Sequence, residues 1–190
     1  MILVIDCGSN KTKYIEQIVD EFLDVKSCAL FDFKLDDLID AKGVIISGAP
    51  ILVTDVDPQP YLDKLNWIKS SNIPVLGICF GHQIMGLLHG SFSQKMNPVR
   101  DWEEIGSFEK SPLLNRLPLD FEMMEDHCET ISIPPGFTLV ASSDGCVNEI
   151  MQNKEETLFG VQFHPEVSGN YGRILIENFV HICSPPQHYH

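Results

Sequence analysis

The chain has 190 residues, of which 44% are hydrophobic and 21% charged, and this composition indicates one folded globular domain and excludes a disordered chain. Its formal net charge of -14 disfavours contact with a phosphate backbone, so we expect no nucleic-acid partner. We expect no membrane contact, because no apolar run approaches ~20 residues and the start of the chain lacks a basic signal-peptide region. We also expect a cytoplasmic protein, because the six cysteines are scattered singly, as reduced thiols are.

The first half of the chain alternates short apolar runs with amphipathic segments. The apolar runs predict strands at residues 1–6, 27–31, 43–47 and 73–78. Helical spacing of apolar residues predicts helices at residues 14–23, 35–40, 60–70 and 81–88. This alternation predicts a parallel sheet with helices on both faces.

The second half carries short strand-like runs separated by Gly, Pro and Asn. These runs, which we expect to add antiparallel strands to the sheet, are residues 121–125, 137–142, 147–151 and 158–162. A helix is predicted at residues 170–183, and residues 184–190 are expected to form a loose tail. The prediction is one α/β domain over residues 1–183, with three layers and a doubly wound, mostly parallel central sheet.

Cys79 lies between Gly77 and Gly81, after a predicted strand and before a predicted helix. A strand followed by Gly-x-Cys-x-Gly and then a helix is the nucleophile-elbow pattern. Its tight turn requires small residues two positions before and after the nucleophile. The thiol is then placed at the carboxyl edge of the sheet and at a helix N-terminus, which favours a thiolate. A buried structural cysteine fits this motif equally well, so a catalytic role requires a base elsewhere.

A base is available at the end of another predicted strand, where His164 and Glu166 follow one another across Pro165. An imidazole can accept the thiol proton and return it to a leaving amine, and a carboxylate fixes the imidazole tautomer. Residues two apart in an extended segment face the same side, and proline stiffens their spacing. The sequence thus predicts a catalytic triad of Cys79, His164 and Glu166.

The two motifs, GICFGHQ at residues 77–83 and GVQFHPE at residues 160–166, together resemble those of the class I (triad-type) glutamine amidotransferases. The resemblance covers almost the whole chain and implies their flavodoxin-like fold. It implies that Cys79 attacks the side-chain amide of glutamine, that ammonia leaves, and that the cysteinyl thioester is hydrolysed to glutamate. By the same resemblance His164 is the general acid and base, and Glu166 orients it.

The resemblance also implies substrate contacts. Gln83 matches the family position that contacts glutamine, and Asp126 and His127 align with a Ser-His pair near the α-amino and α-carboxylate groups. Aspartate in place of serine is a departure from the family. Because a carboxylate attracts the substrate ammonium but repels its carboxylate, the choice of substrate stays open.

The oxyanion of the tetrahedral intermediate requires backbone N–H donors. One is expected from Phe80, and the resemblance implies another from the loop that contains Gly48 and Ala49. The family has Ser-Gly-Gly-Pro in this loop, whereas this chain has Ala49 at the second glycine position. If a positive φ is needed there, alanine carries a steric cost of about 1–2 kcal/mol.

Residues 133–153 resemble the glutaminase part of GMP synthetase, and the sequence contains no motif of a second catalytic domain. We therefore expect a separate synthase subunit that receives the ammonia. The alternative is a stand-alone γ-glutamyl hydrolase or peptidase that uses the same triad on another γ-glutamyl amide. A catalytically silent regulatory module is a further alternative, against which the intact triad argues.

The sequence predicts neither a metal site nor a cofactor. Cys79 and His82 lie within one helical turn, but no further histidine or cysteine follows at ligand spacing. Four other cysteines lie in or beside apolar runs and are assigned to the core: Cys7, Cys28, Cys146 and Cys183.

Overall fold

The structure, a computed structural model, describes residues 1–185. Within these residues the helices are α1 (Thr12–Asp20), α2 (Gln59–Leu65), α3 (Phe80–Leu88) and α4 (Gly169–Cys183). The strands of the first half are β1 (Ile2–Asp6), β2 (Val25–Ala29), β3 (Gly43–Ile46), β4 (Val75–Ile78) and β5 (Ser93–Val99). Those of the second half are β6 (Trp102–Ser107), β7 (Asp120–Met124), β8 (His127–Ile131), β9 (Phe137–Ser142), β10 (Ile150–Asn153) and β11 (Leu158–Val161).

Nine strands form one sheet in the order β2-β1-β3-β4-β11-β10-β9-β6-β7. The first five are parallel to one another in the flavodoxin-like order, and the remaining pairs are antiparallel. Strands β5 and β8 form a separate antiparallel ribbon. The predicted fold class is confirmed, with the difference that β11, expected as an antiparallel addition, is parallel to β4.

Alternation along the central strands builds two cores. In β1, Ile2 and Val4 pack on the face that is covered by α1 and α4. Leu3 and Ile5 pack on the opposite face, with α2 and α3. Burial of each such side chain stabilises the fold by roughly 1.5–3 kcal/mol. Because every position of a strand covered on both faces is buried, its sequence is a continuous apolar run. The two helical layers leave the carboxyl ends of the parallel strands free to carry a site.

Three strands were not predicted: β5, β6 and β8. Four of the seven residues of β5 are exposed and three of those are polar, because its ribbon lies outside the main sheet, so no apolar alternation marks it. The helix predicted at residues 60–70 is α2 followed by a 3-10 turn over Asn66–Ser70, and the one at 35–40 is a 3-10 turn over Leu35–Leu38.

Helix α4 ends at Cys183, as predicted. The predicted tail at residues 184–190 lies almost entirely outside the described residues, and the single domain over residues 1–183 stays a prediction. Over residues 1–185, none of the helices has the length and apolar character needed to cross a membrane.

Candidate active site

Cys79 occupies a strained turn between β4 and α3, with φ of 50° and ψ of -103°. A Cβ atom added to Gly77 would lie 2.6 Å from the carbonyl carbon of Gly81. A Cβ atom added to Gly81 would lie 2.4 Å from the carbonyl oxygen of Ile46 in β3. Both glycines are thus required by close backbone approach, which is the demand expected of a nucleophile elbow.

The strand register brings His164 to the same edge of the sheet. Val161 at the end of β11 pairs with Ile78 at the end of β4, and the Cys79 N–H donates to the Val161 carbonyl at 2.8 Å. His164 follows three residues after Val161, and its side chain lines the same pocket as that of Cys79. Two parallel strands therefore deliver the thiol and the imidazole to one point.

Glu166 lies on the other side of the imidazole. The Nδ1 atom of His164 is 2.7 Å from Oε1 of Glu166, and both side chains are buried. The backbone N–H of His164 donates to the Met124 carbonyl at 2.9 Å, and the Ser168 hydroxyl donates to the His164 carbonyl at 2.6 Å. These bonds fix the segment that carries the histidine.

The electrostatics of His164 favour its cation. Burial alone disfavours the charged ring, but the hydrogen bonds to Cys79 and Glu166 and their charges outweigh it and raise the pKa of His164 to about 10. An imidazolium held between a thiol and a carboxylate is the arrangement that stabilises a thiolate nucleophile.

Gln162 is a site residue that the sequence reasoning did not assign. Its side chain is fully buried, and its Nε2 lies 3.6 Å from the Cys79 sulfur. Its Oε1 accepts a hydrogen bond of 3.2 Å from Nε2 of Gln83. The signal was a polar residue in an apolar run, two positions before His164 and hence on the same side of the extended chain.

The thiol opens into a pocket of about 260 Å³ at the carboxyl edge of the sheet. Its lining is Gly8, Ser9, Asn10, Lys11, Ala49, Pro50, Cys79, Asp126 and His164. A smaller hollow of about 40 Å³ adjoins it through Cys79, Ala49 and Asp126, and is also lined by Phe80, Gln83 and His127. A larger cleft of about 900 Å³ lies between residues 107–119 and the end of α4, and no predicted site residue lines it.

The loop after β3 lies against the predicted catalytic pair. A Cβ atom at Gly48 would be 3.1 Å from Cε1 of His164 and 3.6 Å from Cβ of Cys79. Ala49 does not adopt a positive φ, so the steric cost considered for alanine does not arise in this conformation. The oxyanion roles of Phe80, Gly48 and Ala49 stay predictions.

Asp126 is not an isolated negative charge at the pocket. Its carboxylate lies 2.8 Å from Nζ of Lys11 and 3.6 Å from Nε of Arg100, and 46% of its side chain is exposed. Burial raises the pKa of Asp126, but the hydrogen bond from Lys11 and the positive charges of Lys11, His164 and Arg100 together outweigh it, so the net shift is downward. His127 borders the smaller hollow, but Nδ1 of its ring is 2.8 Å from the Glu129 carbonyl oxygen.

The family described as "Glutamine amidotransferase class-I" matches residues 3–183 of the chain. The chain belongs to this family. A glutamine-hydrolyzing GMP synthase subunit of Methanococcus maripaludis strain C5 is 31% identical over 194 residues, which cover 96% of this chain and 97% of that protein. The glutamine-hydrolyzing GMP synthase of Macrococcus caseolyticus is 31% identical over 96% of this chain, which spans only 36% of that longer relative.

Solved structures agree with this family membership. A putative GMP synthase subunit from Thermoplasma acidophilum superposes with a TM-score of 0.87 at 29% identity, covering 96% of this chain and 92% of the other. A glutamine amidotransferase from Methylobacillus flagellatus has a TM-score of 0.76 at 15% identity, covering 100% of this chain and 97% of the other, and supports the fold alone.

Proposed function

We propose that this chain is a glutaminase that hydrolyses the side-chain amide of glutamine and supplies ammonia to a separate synthase subunit. The observation that carries the proposal is the contact of His164 with both Cys79 and Glu166 beside a pocket at the carboxyl edge of the sheet. Family membership supports the same reaction class.

In the proposed reaction, the Cys79 sulfur forms a bond to the amide carbon, and His164 holds the proton that the thiol has lost. Backbone N–H groups of Phe80 and of the loop with Gly48 and Ala49 hold the negative oxygen. His164 then gives its proton to the departing nitrogen, and ammonia leaves. Water, deprotonated by His164, attacks the thioester, and glutamate and the free thiol are released.

Recognition of the amino-acid end of the substrate is proposed for the rim of the pocket. Lys11 and Asp126 form a pair of opposite charges there. Such a pair complements the α-carboxylate and α-ammonium of a free amino acid, so Asp126 no longer argues against glutamine. Gln83 is proposed to contact the substrate deeper in the site, beside Gln162 and the thiol.

The proposed partner is the synthetase subunit of a two-subunit GMP synthase. The supporting observation is that one relative which is itself a separate GMP synthase subunit, the Methanococcus protein, is matched by this chain over 97% of its length. Ammonia that is released without a partner would be lost to solvent, so a physical complex follows from the proposed role.

The rate of glutamate release from glutamine tests the proposal. It is measured for the wild type, for Cys79→Ala and for Cys28→Ser, which changes a thiol remote from the site. Each protein is assayed with and without the synthetase subunit of a GMP synthase. We expect release by the wild type and Cys28→Ser and none by Cys79→Ala. Equal rates for the wild type and Cys79→Ala under both conditions would refute the glutaminase. Robust hydrolysis of other γ-glutamyl amides, with no response to the synthetase subunit, would favour the γ-glutamyl hydrolase instead.

A further inference from the structure

A buried cluster of metal-ligating side chains lies directly behind the pocket. Within residues 1–185, one ligand atom each from His127, Cys146 and Glu149 lies within 4.8 Å of the others, and all three residues are buried. A fourth group, Glu125, is also buried, with its Oε2 only 3.1 Å from Nε2 of His127. None of these side chains was assigned a metal role by the sequence, because they come from separate segments.

The histidine is oriented as a ligand. Its Nδ1 lies 2.8 Å from the Glu129 carbonyl oxygen, so the ring proton belongs on Nδ1 and the lone pair is on Nε2. Such a backbone bond behind the ring is the usual support of a metal-bound imidazole. The Nε2 atom is buried and has no aligned hydrogen-bond partner among the described residues, although Glu125 is near.

The carboxylates are also incompletely satisfied. Oε1 of Glu149 accepts a bond of 2.6 Å from the Ser143 hydroxyl, whereas its Oε2 and both oxygens of Glu125 are buried, and the group that these two acids meet there is each other's carboxyl. Unpaired buried acids of this kind are costly unless a proton or a cation neutralises them.

We propose that His127, Cys146 and Glu149 bind a zinc ion, with the Glu125 carboxyl group beside the site. Thiolate, imidazole and carboxylate are a characteristic zinc donor set, and bonds of about 2.0–2.3 Å place tetrahedral ligands roughly 3–4 Å apart, whereas the three ligand atoms here lie within 4.8 Å of one another. The charge is favourable, because one thiolate and one carboxylate balance Zn²⁺ beside a neutral imidazole.

The chain around the cluster gives the ion a route of entry and links the cluster to the rim of the pocket. Cys146 is buried inside a turn whose neighbours Asp144, Gly145 and Val147 are exposed, so opening of this turn admits the ion. His127 directly follows Asp126 of the pocket rim. Bound zinc would fix the start of β8 and hold that rim in place, which makes the site structural and separate from the chemistry at Cys79.

Cobalt(II) spectroscopy tests the site, because Co²⁺ bound by a thiolate in tetrahedral geometry gives a charge-transfer band and strong visible bands, and Zn²⁺ then displaces it. The measurement uses the Cys79→Ser protein, since Cys79 and His164 form another pair that can bind metal. We expect one Co²⁺ per chain, displaced by one Zn²⁺, and a Tm that rises with Zn²⁺. This readout is independent of glutaminase activity.

Variants in that background decide between sites. Cys146→Ser is expected to abolish the charge-transfer band, and Glu149→Gln to weaken Co²⁺ binding about tenfold or more, by analogy with supporting groups of known sites. Cys28→Ser, a remote control, leaves the band unchanged. Circular dichroism checks that each variant folds. If Cys146→Ser does not fold, the Co²⁺ affinity of Glu149→Gln tests the site in its place. No stoichiometric Co²⁺ binding by Cys79→Ser, or a band that survives Cys146→Ser, would overturn the proposal.

Discussion

Replacement of Gly81 by alanine tests whether the elbow geometry controls reactivity. The added Cβ would lie 2.4 Å from the carbonyl oxygen of Ile46, about 1 Å short of ordinary contact. That oxygen belongs to a central strand, so α3 and the Cys79 turn must move instead. A displacement of this size costs about 10²-fold in rate when it misplaces a catalytic group. Stability changes less, because overpacking costs about 1–3 kcal/mol while alanine gains about 1 kcal/mol in helix propensity.

The assay pairs glutamate release with the rate of Cys79 alkylation by iodoacetamide, and adds thermal unfolding. Gly81→Ala should lose about 10²-fold in glutamate release and change its alkylation rate, with a Tm drop of only a few degrees. Gly106→Ala is the matched control, since its Cβ would meet nothing closer than 3.5 Å. If Gly81→Ala retains both rates within about threefold of the wild type, the strained elbow is not what positions the thiol.

Glu166→Gln removes one of the two groups, Cys79 and Glu166, that together raise the pKa of His164 to about 10. A raised imidazole pKa stabilises the fold fully below about pH 6.5, and this stabilisation is lost as the pH rises through 10. Urea unfolding should therefore show a free energy of unfolding about 3–5 kcal/mol lower for the variant than for the wild type at pH 6, and a smaller difference at pH 10. A pH-independent deficit would contradict the ion pair. Gln162→Leu, which removes the donor 3.6 Å from the Cys79 sulfur, should slow alkylation of the thiolate, whereas an unchanged rate would exclude that contact. Asp126→Asn should raise KM for glutamine more than it lowers kcat, and a loss confined to kcat would argue against a role in binding.

The predicted triad was accessible from sequence because each member is marked locally. Two glycines flank Cys79, and apolar runs end just before Cys79 and before His164. In a parallel sheet such strand ends meet at one edge, whatever the strand order. The sequence could not give that order, and the adjacency of β4 and β11 follows from pairing across more than 80 residues of chain.

The parts that escaped prediction depend on distant contacts. Gln162 reads as one polar residue in a strand until the register places it against Cys79. The expected conflict between Asp126 and a substrate carboxylate took no account of Lys11, which lies 115 residues away in sequence and donates a hydrogen bond to Asp126 at the same rim. Propensity and periodicity report the local chain, whereas these pairings are decided by tertiary packing.

The proposed zinc site also consists of residues that are separate in the sequence and meet only in the folded protein. Cys146 was assigned to the core because it lies next to apolar residues, and burial is correct for it. Yet a core thiol needs no buried carboxylates around it, and apolar residues at Glu125 and Glu149 would pack there without any cost of desolvation. Two acids and a histidine surround the thiol instead. A bound cation would explain this arrangement, because it would neutralise their charge. Without Zn²⁺, therefore, substituting Glu125 by the nearly isosteric Met should stabilise the fold. A loss of stability on Glu125→Met in chelator would mean that the carboxyl is satisfied in some other way.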